Sequence, residues 1–190
     1  MTCKIIIGLL LMSLTASAQT KWLISENSSL SVNGSTNIDK FSCDIPSCDQ
    51  SDTLTVWKSE KGVVLTGSIN PAVLSFDCHK AMMTRDLQKT LQAQKYPRLH
   101  IRFLSLSELP RLSNKPISIT GQVEIEIAGI KKLYLINYEI SADSAKVIHL
   151  LGSRDLDFSD FNLVPPRKLG GIIKTKDLLC VQFQLKMKAI

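Results

Sequence analysis

The sequence predicts an all-β protein of about eight to ten antiparallel strands with one short helix. Three observations carry this expectation. Apolar and polar residues alternate with period two along most of the chain, the mark of strands with one buried and one wet face. Short turn signals separate the alternating runs, at Ser59–Gly62, Asn70-Pro71, Ala128-Gly129 and Ser141–Ala145. One stretch, from Met82 to Ile101, abandons the alternation for a helical spacing.

The first residues read as a targeting segment. Lys4, the apolar run Ile5 to Leu14 and the small residues Ala16-Ser17-Ala18 match a secretory signal peptide over residues 1–18, cut after Ala18. The run is too short to span a bilayer as a helix. Residues 19–190 are then one domain, long enough to bury a core.

The strands follow in order. Trp22 to Asn33 opens the domain, with Leu30 and Val32 alternating against Ser29, Ser31 and Asn33. Gly34 breaks the run before "KFSCDI" (40–45), and Leu54 to Trp57 continues it. "VVLTGSI" is the next strand, and Asn70-Pro71 bends the chain into "AVLSFDC" (72–78), read as another. After the helix, "LHIRFLSL" places Leu99, Ile101 and Phe103 on one face. "ISITGQVEIEIAGIKKLYLINYEI" reads as a hairpin, and "KVIHLLGSRDLDF" as the strand after it. Residues 161–171 are a stiff, irregular connection. The last strand alternates Leu179, Val181, Phe183, Leu185 and Met187 with polar neighbours. Consecutive hairpins favour an antiparallel meander, which closure into a barrel or stacking into a sandwich would satisfy equally.

In the helix, Met83, Leu87 and Leu91 recur at i, i+4 and i+8 and form one apolar stripe. Thr84 is the expected N-cap, Asp86 suits the positive end of the helix dipole, and Pro97 ends the segment. A helix this short is not stable alone, so its stripe must pack on the sheet.

Four cysteines follow the predicted cut: Cys43, Cys48, Cys78 and Cys180. An exported chain can oxidise them in three pairings. Cys43 shares a face with Phe41 and Ile45, and Cys78 shares one with Leu74 and Phe76, so both point to the apolar side. Parity therefore favours a Cys43–Cys78 disulfide, with Cys48 and Cys180 paired to each other or free.

The functional inventory is short on chemistry. The net charge of +6 is scattered, with no basic stripe interleaved with aromatics, so nucleic acid is not indicated. A mildly basic surface is compatible with brief contact with anionic lipid headgroups. His79, His100 and His149 lack metal-ligand spacing, and no cofactor or nucleophile fingerprint occurs. Asp155, Asp157 and Asp160 are the one carboxylate group suited to acid–base work, and the strand parity puts the first two on the wet face.

Four motifs then occur in order: "VNGSTN" followed by "FSC", "FDCHKAMMTRDLQKTLQAQKYPRLHI", "ITGQVEIEIAGIKK" and "LDFSDFNLVPPRKLGGIIKTKD". Together they resemble YceI-like proteins of the periplasm, over nearly the whole chain from Trp22 onward. The resemblance implies a lipocalin-like antiparallel β-barrel of about eight strands with the helix near one end. It also implies an apolar cavity for a polyisoprenoid-type lipid, a quinone or a prenyl phosphate, and no catalysis and no cofactor. Many members carry Arg-Asp-Glu-His-Leu at the helix, whereas this chain has Arg85-Asp86-Leu87-Gln88, so no role of that Glu or His transfers.

The lining expected on this reading is Phe41, Phe76, Met83, Leu87, Leu91, Ile101, Phe103, Phe158, Phe161, Val181 and Phe183, with Arg85 at the headgroup. Burying about ten methylenes supplies roughly 8 kcal/mol before ordering costs, enough to hold a lipid tail without a catalytic group. Two other readings compete. One is an enzyme built on the aspartates. The other is an exported interaction or stress-response module whose inward side chains simply fill the barrel.

Overall fold

The computed structural model describes residues 19–47 and 52–190. The predicted signal peptide and Cys48 lie outside the described residues. Eleven strands form one sheet: β1 (Thr20–Ile24), β2 (Ser29–Thr36), β3 (Lys40–Ile45), β4 (Thr53–Ser59), β5 (Gly62–Ile69), β6 (His100–Leu106), β7 (Ile117–Ile127), β8 (Ile130–Ala142), β9 (Ile148–Asp157), β10 (Arg167–Lys168) and β11 (Ile173–Ala189). Among the described residues there is one α-helix, α1 (Ala81–Thr90), between β5 and β6.

The sheet closes on itself. β1 pairs with β4 on one side and with the end of β11 on the other. Antiparallel pairings then run through β4, β5, β6, β7, β8, β9 and β11, giving an eight-stranded barrel. Closure removes the free edges that an open sheet would carry. β11 is long enough to run past β1, and its first part pairs with β2 instead. β2 and β3 therefore extend the wall beyond the ring at one end.

That extended end is bridged by residues 70–99, which form the connection from β5 to β6. The connection begins and ends as a ladder: Ala72 pairs with Arg98, and the Leu99 N–H donates to the Pro71 carbonyl at 3.0 Å. Between them the expected strand 72–78 is absent. Val73–Ser75 instead makes a 3-10 turn. The turn rotates Leu74 out to solvent while Val73, Phe76 and Cys78 stay buried, so period-two parity fails here.

The helix starts earlier than its sequence suggests. Lys80 occupies the N-cap position and makes no side-chain cap. The Thr84 hydroxyl lies inside the first turns and accepts from the Cys78 N–H at 3.0 Å, tying the helix to the chain that leads into it. At the other end Gln92, not Pro97, stops the helix. It takes a left-handed φ of 55°. The Ala93 N–H then donates to Gln88 and the Gln92 N–H to Lys89, the bonding of a Schellman turn.

Two anchors hold α1 across the barrel end. Before the helix, the Cys43–Cys78 disulfide joins it to β3. Asp44 and Asp77 exchange two backbone hydrogen bonds at 2.8 and 2.9 Å beside that disulfide. After the helix, Tyr96 packs on Gly129 in the β7–β8 turn. A Cβ at Gly129 would lie 2.8 Å from the Tyr96 ring, and its φ of +79° suits glycine.

The other half of the barrel is solid. Trp22, Leu54, Leu65, Ile136, Ile140, Leu150, Leu185 and Met187 point inward and are almost fully buried. Phe183 stands among them, edge-on to Phe103 at 6.0 Å and to Tyr138 at 5.9 Å. Its ring lies against Gly152, where a Cβ would come within 2.3 Å.

Candidate functional site

The half beneath α1 holds two adjoining chambers that share Leu87 and Phe158. The inner chamber is the narrower, with a cavity volume of about 50 Å³. β2 contributes Leu30 and Val32, the helix Leu87 and Leu91, β6 and β7 Ile101 and Ile125, and β11 Leu179 and Val181. Phe158 and Phe161, on the turn after β9, form its floor with Leu156 and Leu163. Asp157 is the sole polar residue on this wall. The outer chamber, about 240 Å³ and open to solvent, lies between the helix start and the loops around β10. Met83, Phe41 and the disulfide residue Cys43 line it, with Lys80, Asp86, Asp39 and Lys168 near its rim.

Most of the predicted lining converges here. Phe76, Leu87, Leu91, Ile101, Phe158, Phe161 and Val181 line the inner chamber, and Phe41 and Met83 the outer one. Phe103 and Phe183 line neither. They point inward as their parity requires, but they lie in the solid half and pack on each other. Parity tells which face a side chain occupies, not how far along the barrel axis it lies.

Arg85 is not at the mouth. It sits on the outer face of the helix, where its Nε donates to the Ala81 carbonyl at 3.2 Å. The cations beside the chamber are Lys80 and Lys168. Lys168 pairs with Asp86, and this pair takes up the aspartate that the sequence assigned to the helix dipole. No local pattern marks this pair, because its members lie on segments far apart in the chain. The wall residues that sequence reasoning missed, such as Leu30, Val32, Ile125 and Leu179, do have a signal: each is apolar and inward by parity.

The aspartates considered for catalysis have structural roles. Asp160 accepts from the Tyr134 hydroxyl at 2.9 Å and, with Asp157, forms a capping box on the turn Phe158–Phe161. Burial, then the Asp160 carboxylate, push the Tyr134 phenol well above its usual range. Asp155 lies on the outer face opposite Cys180, which is a free thiol. Burial, with Asp155 adding to it, raises that thiol. Each histidine meets a surface partner: His79 with Asp44, His100 with Asn70 and His149 with Asp143. Among the described residues no cluster of three or more His, Cys, Asp or Glu is placed to hold a metal.

The latch beside the disulfide has a predictable pH response. Burial works to raise the Asp44 carboxyl, but hydrogen bonds from Ser31, His79 and Ser42 outweigh it and hold the group below 3.8. A carboxyl depressed in the folded state stabilises above its unfolded value and loses that contribution as pH falls through the folded one. The melting temperature should therefore drop as pH goes below about 4, and part of this slope should vanish in Asp44→Asn. Parallel melting curves from neutral pH to about 3 decide it, and an unchanged slope in the variant would assign the acid sensitivity elsewhere.

No family model matches the sequence, and no curated protein is similar enough to match. Solved structures do match. BcnA of Burkholderia cenocepacia superposes with a TM-score of 0.63 at 15% identity, covering 84% of this chain and 95% of that one. A polyisoprenoid binding domain from Saccharophagus degradans, implicated in plant cell wall breakdown, gives 0.65 at 12% identity, covering 89% and 98%. A mutant of the Campylobacter jejuni YCEI protein made for nanotechnology applications gives 0.53 at 13% identity, covering 73% and 81%. The chain has the YceI-like fold. At these identities the shared property is the fold.

Proposed function

We propose that this YceI-like barrel is an exported, non-enzymatic lipid-binding protein that holds a polyisoprenoid-type lipid beneath α1. The observation that carries the reading is the pair of contiguous chambers, apolar within except for Asp157 and more polar toward the rim. A slender tail suits the inner chamber, and a polar head, of a quinone or a prenyl phosphate, suits the outer one beside Lys80 and Lys168. The polyisoprenoid binding of one structural neighbour supports the same ligand class. The disulfide supports export, since such bonds persist in oxidising compartments.

The narrowness of the inner chamber says how binding would proceed. Leu87 sits on the helix and Leu91 at its C-terminal end, so the tail would enter by shifting their rotamers. Met83, flexible and polarizable, adapts to either state.

Protein purified from its native host should release an isoprenoid lipid on organic extraction, read by mass spectrometry. Leu91→Trp should fill the inner chamber and weaken uptake of an added isoprenoid quinone by about tenfold or more, at an overpacking cost of about 1–3 kcal/mol. A protein that carries no lipid and takes up neither a quinone nor a prenyl phosphate would remove the reading and leave the filled-barrel interaction module.

A further inference from the structure

The rim of the outer chamber carries an unusual set of side chains. Ile38, on the β2–β3 turn, is 68% exposed, and Met82, at the helix start, is 63% exposed. Leu169 and Ile172, on the loop from β10 to β11, are 70% and 72% exposed. Three separate segments supply them, and the fold gathers these segments at one place. Ile38 and Met82 both line the outer chamber. Asn37 joins the two loops: its Nδ2 donates to the Ile172 carbonyl at 3.0 Å, and its Oδ1 accepts from the Lys174 N–H at 2.9 Å. Large apolar side chains seldom stay clustered at a surface without a partner.

The charge on the same segments indicates which partner. Lys40, Lys80, Arg167 and Lys174 are exposed, and among the described residues no ion pair engages them. The opposing charge is small. Asp39 is spent in part on the Lys40 backbone N–H, and Asp86 is neutralised by Lys168. Apolar tips surrounded by cations fit a bilayer surface, where the tips reach the acyl boundary and the cations meet lipid phosphates.

We propose that this rim docks on an anionic lipid surface, so that the outer chamber opens against the membrane. A lipid could then pass between bilayer and barrel without drawing its tail through water. The proposal extends the lipid-binding reading, and vesicle binding is measured apart from ligand uptake so that either can fail alone.

The test is co-sedimentation with vesicles of phosphatidylcholine alone and with vesicles containing about 30% phosphatidylglycerol. Binding to the anionic vesicles should be at least roughly tenfold tighter, and should weaken in about 0.5 M sodium chloride. Leu169→Glu with Ile172→Glu should reduce it by about tenfold or more while uptake of a quinone dispersed in detergent is retained. These two side chains lie in the open beside Gly170 and Gly171, where an added Cβ meets nothing within 4 Å, so melting of the double variant should match the parent. Ile38→Glu, on a different loop, should weaken vesicle binding in the same direction. Equal binding to both vesicle types, no binding to either, or a double variant that binds like the parent would overturn the proposal. The second of these results would point to a protein as the partner of the rim.

Discussion

Replacing Cys43 and Cys78 together by serine is expected to lower the stability of the barrel by about 4 kcal/mol, taking the loop-closure entropy of a cross-link of this span. The bond spans a sequence separation of 35 residues, a loop that includes β4, β5 and the chain leading to α1. Without it the unfolded chain gains freedom, while the folded chain keeps two backbone bonds and the His79–Asp44 contact at the same place. Urea unfolding of the oxidised protein and the double variant measures the difference. Because the bond ties the helix start to β3, amide exchange should rise more in α1 than in the β7–β8 ladder. A loss under about 1 kcal/mol, with exchange unchanged in the helix, would mean the backbone bridge alone holds it.

Phe183→Ala is the second large effect, at about 3–5 kcal/mol. The ring is almost fully buried, meets Phe103 and Tyr138 edge-on, and fills the space that Gly152 leaves. Its removal leaves a void that its neighbours, held by the closed sheet, cannot collapse to fill. Quinone uptake should nevertheless stay within about threefold of the parent, since Phe183 is part of the solid half and not of a chamber wall. A tenfold loss of uptake in a variant that still folds would return Phe183 to the lining. Denaturant melts paired with quinone titrations separate the two outcomes.

These residues show how far the sequence could be read. Alternation located β6, β7, β8, β9 and β11 and set which face of each is buried, because a strand with one wet face can only write that pattern. It failed at Leu74, where a 3-10 turn replaced the expected strand and turned the side chain outward. The stripe Met83, Leu87 and Leu91 was legible for the same reason as the strands: an i, i+4 spacing fixes a helix face. Helix ends were not, since Thr84 offers a hydroxyl that suits an N-cap but is used by the Cys78 N–H instead.

The candidate site was legible in kind and less so in place. Nine of the eleven apolar side chains expected to line it do so, because inward parity and a helix stripe are local properties. Phe103 and Phe183 fell on the correct face and the wrong half, since depth along a barrel depends on strand tilt and register across many strands. Arg85 lies on the outer face of the helix, and the cations beside the outer chamber are Lys80 and Lys168, for a related reason. Lys168 reaches Asp86 only because β10 folds back beside the helix.

By itself, then, the sequence determined the all-β class, the buried faces, the single helix and its apolar stripe, all set by periodicities a few residues long. Closure of the sheet was expected from the family resemblance and not from the alternation, while tertiary structure alone decided that one half of the barrel is solid and the other open, and that exposed apolar residues from three segments share a rim with cations outside any ion pair. Those outcomes depend on contacts between residues far apart in the chain, and no short-range pattern records them.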